Sequence, residues 1–224
     1  GTQNVAVGAL ALDSNTTGGN NTVVGYNTLG ANTTADNNVA IGFNSLGGNT
    51  TGTHNVAVGA YAGDGITTGS DNIAIGYQAL TTNSTGDHNI AIGRGSLSLH
   101  TGTRCTSVGR ASMEVNTAND NTAVGYHALV ANTTGSYNTG IGRQSLVINT
   151  TGYENTGCGF KSLMQTTTGY ENAVVGALTA QNLTTGYRNA VCGKQAMDSS
   201  TTAHNNACLG FYAGGQMTTG SNNI

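Results

Sequence analysis

The side chains with the means to do chemistry are few in this 224-residue chain: four Cys, five His and ten acidic residues. Cys105, Cys158, Cys192 and Cys208 raise the question of a disulfide or a metal centre. A disulfide needs its two Cα atoms within about 7 Å, and structural zinc needs four converging ligands. His54, His88, His100, His127 and His204 are the remaining soft ligands, and Gly63-Asp64-Gly65 is shaped like part of a calcium loop. Tyr137, Tyr153, Tyr170 and Tyr187, with Glu154, Glu171 and Arg188 beside them, offer ring faces and hydrogen-bonding groups suited to a sugar. Arg94, Arg104 and Arg110 would suit an acidic partner. Which of these groups can meet is decided by the element that carries them.

That element is a repeat. A glycine closes each V-A-V-G-like motif at Gly8, Gly25, Gly42, Gly59, Gly76, Gly93, Gly109, Gly125, Gly142, Gly159, Gly176, Gly193 and Gly210. Ten of the twelve intervals are 17 residues and two, around Gly109, are 16. Before the glycine, Val or Ile alternates with a small residue, as in Val56-Ala57-Val58, which reads as a short strand with one buried face. The β-branched columns are expected to point inward. Four residues after the glycine, Leu29, Leu46, Leu80, Leu97 and their counterparts supply a second apolar column. The second half of each repeat reads Asn-Thr-Thr-Gly, which is turn chemistry beside a strand former. So many Gly, Asn and Thr exclude a helix.

One such coil cannot bury its own apolar face, whereas stacked coils share a continuous core. The expected fold is therefore all-β: a parallel β-solenoid of about 13 coils, roughly 60 Å long at one strand spacing per coil. Residues 1–224 form a single repeat array, with two shortened coils around 94–125 whose missing residue belongs in the Thr arm. Asn21, Asn38, Asn55, Asn72 and Asn89 would stack as an amide ladder. Beside it, Gly25, Gly42, Gly59, Gly76 and Gly93 turn the chain. Stacking also accounts for a charged fraction of 8% and for the absence of Pro, since like charges in a column repel and Pro deletes a ladder bond.

On this frame most of the chemistry disperses. Cys158 and Cys192 share a column but lie two coils apart, roughly 9.6 Å by strand spacing. Cys192 and Cys208 fall on opposite faces, so the thiols read as small apolar replacements. The histidines spread over several columns, with His54 and His88 also two coils apart, so no metal site is expected. The Gly-Asp-Gly occurs once, whereas calcium repeats carry Asp in every turn. No Ser, His and acid combine into a triad, so neither an enzyme nor a cofactor is expected. Tyr153, Tyr170 and Tyr187 do share one column, with Tyr137 one column over. They can stack on a sugar or pack against one another or a partner chain, and packing is the plainer reading. A net charge of −3 excludes a nucleic-acid partner, and no apolar run is long enough for membrane insertion.

The runs N-V-A-I-G-F-N-S-L (38–46), N-I-A-I-G-Y-Q-A-L (72–80) and N-I-A-I-G-R-G-S-L (89–97) resemble the head repeats of YadA-like trimeric autotransporter adhesins and related repeats of viral (phage) tail fibres. The resemblance implies a left-handed β-roll, a homotrimer, and an adhesive shaft or head on a cell or virion surface, with a cell-surface glycan or protein as receptor. It brings no catalytic residue. The Thr-Thr-Gly arm makes the coil longer than the adhesin's, and no stalk, neck or anchor is seen. The chain starts at a repeat boundary, shows no signal peptide, and stops within a motif at Asn222-Asn223-Ile224, which reads as a piece of a longer array. Two alternatives remain: an ice-binding solenoid using stacked Thr, and a monomeric solenoid of an extracellular filament.

Overall fold

The computed structural model describes residues 1–224. It is an all-β, parallel β-solenoid of about 17 residues per turn, without helices. Its thirteen strands have three residues each, and they fall into two compact units, Gly1–Ala111 and Ser112–Ile224. The first unit holds β1 (Val5–Val7), β2 (Thr22–Val24), β3 (Val39–Ile41), β4 (Val56–Val58), β5 (Ile73–Ile75), β6 (Ile90–Ile92) and β7 (Thr106–Val108). The second holds β8 (Thr122–Val124), β9 (Thr139–Ile141), β10 (Thr156–Cys158), β11 (Ala173–Val175), β12 (Ala190–Cys192) and β13 (Ala207–Leu209).

Within each unit every strand pairs in parallel with the next, in the register that the repeat dictates. Val56, Ala57 and Val58 pair with Ile73, Ala74 and Ile75, and Thr156, Gly157 and Cys158 with Ala173, Val174 and Val175. Coil-to-coil bonding continues through the turns, for example from Leu46 N–H to Ala62 C=O at 3.0 Å and from Thr50 N–H to Thr67 C=O at 2.9 Å. Each coil thus satisfies its backbone through its neighbours, which is why strands of only three residues hold.

The facing of the strands is the reverse of the expectation. Ala40, Ala57, Ala74, Ala91 and Ala123, the middle residues, are the buried ones. The Val and Ile before the glycine point out, with Ile41 at 39%, Ile75 at 37% and Ile141 at 40% exposure. The interior is already filled. Leu29, Leu46, Leu80, Leu97, Met113, Leu129, Leu146, Leu163 and Met197 are fully buried, and small residues such as Ser45, Ala79 and Ser162 close the space beside them. At Gly140 a Cβ would already lie 3.2 Å from Leu129 Cγ, whereas Val23, Val174 and Val191 fill the same inward position in other coils.

Several positions in every coil turn through the left-handed region. Gln78, Leu80 and His88 have φ of 54°, 54° and 59°, and the same columns repeat these values throughout. Leu is an unfavourable residue there, and its burial together with the inter-coil bond of its N–H holds it in place. The shortened coils lose their residue in the Thr arm, as expected. In a regular coil Asn132 Nδ2 donates to the carbonyl three residues on, Gly135, at 2.8 Å. In the short coil Asn116 Nδ2 donates to Ala118, only two residues on, also at 2.8 Å.

Candidate functional site

Two polar ladders fix the coils so that their surface columns line up. In the first, the Asn before a strand accepts from the backbone of the same position in the next coil: Asn55 N–H donates to Asn38 Oδ1 at 2.9 Å, Asn38 N–H to Asn21 Oδ1 at 2.9 Å, and Cys105 N–H to Asn89 Oδ1 at 3.0 Å. Their Nδ2 groups donate to the turn carbonyls of Gly69 and Gly52 at 2.8 and 3.0 Å. The second ladder starts the Asn-Thr-Thr-Gly arm. Asn49 Nδ2 donates to Gly52 C=O at 2.9 Å, and Gly52 N–H returns a bond to Asn49 Oδ1 at 3.1 Å. Asn149 Nδ2 reaches Asn132 Oδ1 at 2.7 Å, one coil away. These asparagines, expected as turn residues, are fully buried, as Asn49 and Asn149 show. Their burial was legible in their recurrence at one position of the repeat.

Three surfaces stand on this scaffold. The first is the outward strand face, a stripe of Val and Ile side chains on both units. On β11, β12 and β13 it narrows to a groove of about 600 Å³ between Ala173, Ala190 and Ala207 on one side and Val175, Cys192 and Leu209 on the other.

The second is the tyrosine column. Tyr153 and Tyr170 stack with ring centroids 5.0 Å apart and planes 7° from parallel, and Tyr170 and Tyr187 at 4.8 Å and 2°. His204 continues the stack at 4.7 Å, a member that its 17-residue spacing from Tyr187 announced. Arg188 lies 5.9 and 5.8 Å from the Tyr170 and Tyr187 centroids. Its Nε donates to Glu171 Oε2 at 2.8 Å, and that carboxylate raises the guanidinium's pKa. Inside the stack, ring faces cover one another, so a sugar finds edges there instead of faces. Tyr137 stands one column aside and is 62% exposed.

The third surface is the column just after the glycine. Tyr26 stacks on Phe43 at 5.5 Å, Arg94 lies over Tyr77 at 5.7 Å, and Arg143 lies 5.8 Å from both Tyr126 and Phe160. Arg94 and Arg110 share this column on successive coils. The strand Thr106–Val108 separates Arg104 from Arg110 along the chain.

None of the four cysteines forms a disulfide. Cys105 is buried in the Asn column. Cys192, expected inward, is exposed, while Cys208 on the opposite face is half-buried and its thiol pKa is raised by burial. His54 and His88 flank Asp71, their Nδ1 atoms 4.0 and 3.9 Å from its two oxygens, all on exposed side chains. No three His, Cys, Asp or Glu are arranged to hold a metal ion. His100 takes the buried Asn position of its coil, with Nε2 3.1 Å from Asn89 Oδ1. No helix is long and apolar enough to cross a membrane. No protein-family model, curated protein or solved structure matches the chain.

Proposed function

We propose that the chain is a non-catalytic, adhesive fibre shaft that assembles as a homotrimer on the surface of a virion or cell. The observation that carries this reading is the outward Val and Ile stripe. Contiguous exposed apolar surface on a soluble protein marks an interface. Each such side chain is worth up to about 1.5–3 kcal/mol when fully buried, and the stripe repeats it in coil after coil. Copies related by rotation about one axis would turn their stripes toward it and close them off from water. The interior, one Leu and a few small residues per coil, is thin for a free-standing rod. Tyr137, Arg94 and Arg104 lie off the stripe, where a shaft would present them to a glycan or protein receptor.

Sedimentation equilibrium at micromolar concentration tests the assembly, with three times the 22.5 kDa chain mass as the expected result. Ile75→Asp with Ile92→Asp should return a monomer that keeps its β circular-dichroism signal. A wild-type chain that sediments as a monomer overturns the homotrimer and favours the single-solenoid filament.

One observation favours a second reading. Thr34, Thr51, Thr68 and Thr85 form an exposed rank on successive coils, a regular array of the kind that could meet ice. It is a single rank, because the preceding threonines bond to the next coil, as Thr50 Oγ1 does to Thr67 C=O at 3.0 Å. Ice shaping in a droplet assay separates this reading from the shaft.

A further inference from the structure

The tyrosine column holds a reactive arrangement independent of the assembly state. Tyr153, Tyr170 and Tyr187 stand on three successive coils with centroids 5.0 and 4.8 Å apart and planes within 7° of parallel. Tyr153 is 41% exposed and the other two are half-buried, so small oxidants reach all three. Other tyrosines are placed differently. Tyr61 meets Tyr77 edge-on at 89° and 6.3 Å, and Tyr26 stacks on a phenylalanine.

We infer that Tyr153, Tyr170 and Tyr187 form an oxidative cross-linking site, at which a peroxidase with hydrogen peroxide joins neighbouring coils through a dityrosine bond. The enzyme takes one electron from each of two neighbouring phenols, and each phenol releases its proton. The two tyrosyl radicals couple through the ring carbons beside the hydroxyl-bearing carbon, forming one carbon–carbon bond. The hydrogen on each coupled carbon then moves to its oxygen, restoring both rings. Two tyrosines and one peroxide give one cross-link and two waters, and the chain loses two hydrogens.

Proximity makes the reaction intramolecular. Radicals held in one column meet far more often than radicals on separate chains. The carbons must close from about ring-stacking distance to about 1.5 Å, which needs tilting of partly exposed side chains, and such motion is fast on the reaction timescale. The chain has no disulfide, so this bond would be its covalent link between coils.

The test is horseradish peroxidase and hydrogen peroxide on the dilute protein, followed by cleavage at Arg, Lys and Glu. That cleavage puts Tyr153 on 144–154, Tyr170 on 162–171 and Tyr187 on 172–188. The expected product is a single chain lighter by two hydrogens, in which 162–171 is joined to one of the other two peptides. Tyr170→Phe keeps the ring stack but leaves Tyr153 and Tyr187 two coils apart, and should lower the summed yield of dityrosine links among the three peptides, now only 144–154 to 172–188, more than tenfold. Circular dichroism confirms that this variant is folded. Links made chiefly through the exposed Tyr137, links mainly between chains, an unchanged yield in Tyr170→Phe, or no link where N-acetyltyrosine couples would each overturn the assignment.

Discussion

The backbone N–H of Asn89 donates to the side-chain Oδ1 of Asn72 at 2.9 Å, one coil and seventeen residues away. Asn72 Nδ2 in turn reaches Gly86 C=O at 2.9 Å and Asn55 Oδ1 at 3.2 Å. One buried amide therefore satisfies groups on both neighbouring coils. Asn72→Ala strands the Asn89 N–H and the Gly86 carbonyl away from water. Each such group costs about 1–3 kcal/mol, so the substitution should lower stability by several kcal/mol in urea unfolding. A loss below about 0.5 kcal/mol would show that the ladder is decorative.

Glycine at the strand end is required twice over. Gly76 has φ of +128°, a region essentially closed to other residues, and a Cβ there would lie 2.8 Å from the Gly93 carbonyl carbon and oxygen. Gly76→Ala combines backbone strain of about 1–3 kcal/mol with a backbone clash, and the midpoint of thermal unfolding should fall sharply. Gly95 provides the contrast, with φ of +65° and nothing within 4 Å of a Cβ. Its column elsewhere carries Asn27 and Asn44 at φ of 49° and 52°, so Gly95→Asn should be neutral or stabilising.

Asp64 makes one coil sensitive to pH. Burial raises its carboxyl above the ordinary value of 3.8, against the hydrogen bond from the Asn44 side chain, and its Oδ1 is buried without a partner. An acid with a raised folded pKa holds its proton more tightly folded than unfolded. Ionisation therefore works against folding, and stability rises as pH falls from that raised value toward the ordinary one. Asp64→Asn should raise the melting temperature at neutral pH, with the gain shrinking in strongly acidic buffer. A gain independent of pH would refute the assignment.

Much of this was legible in the residues. A stacked coil must present the same side-chain type at the same place in every turn, so Gly59, Gly76 and Gly93 fixed the period. Leu46 and Leu80 marked the core column for the same reason. Met113 and Asn116 kept their places through the short coil because a slip within the strand would have inverted its faces.

By itself the sequence determined the solenoid, its period, and the site of the deleted residue. The tertiary structure alone decided which face of Val56-Ala57-Val58 is inside. A period of two defines two faces without ranking them, and burial of the larger residues is the ordinary default. Here the default fails because the space across from the strand belongs to the leucine column. Leu129 stands close to Gly140, most coils place Ala, Ser or Gly at the inward position with Val23, Val174 and Val191 as exceptions, and the β-branched residues next to the glycine face outward. The same applies to Tyr153, Tyr170 and Tyr187. Their spacing placed them in one column, and only the observed ring planes, 7° and 2° from parallel, showed that their faces meet each other.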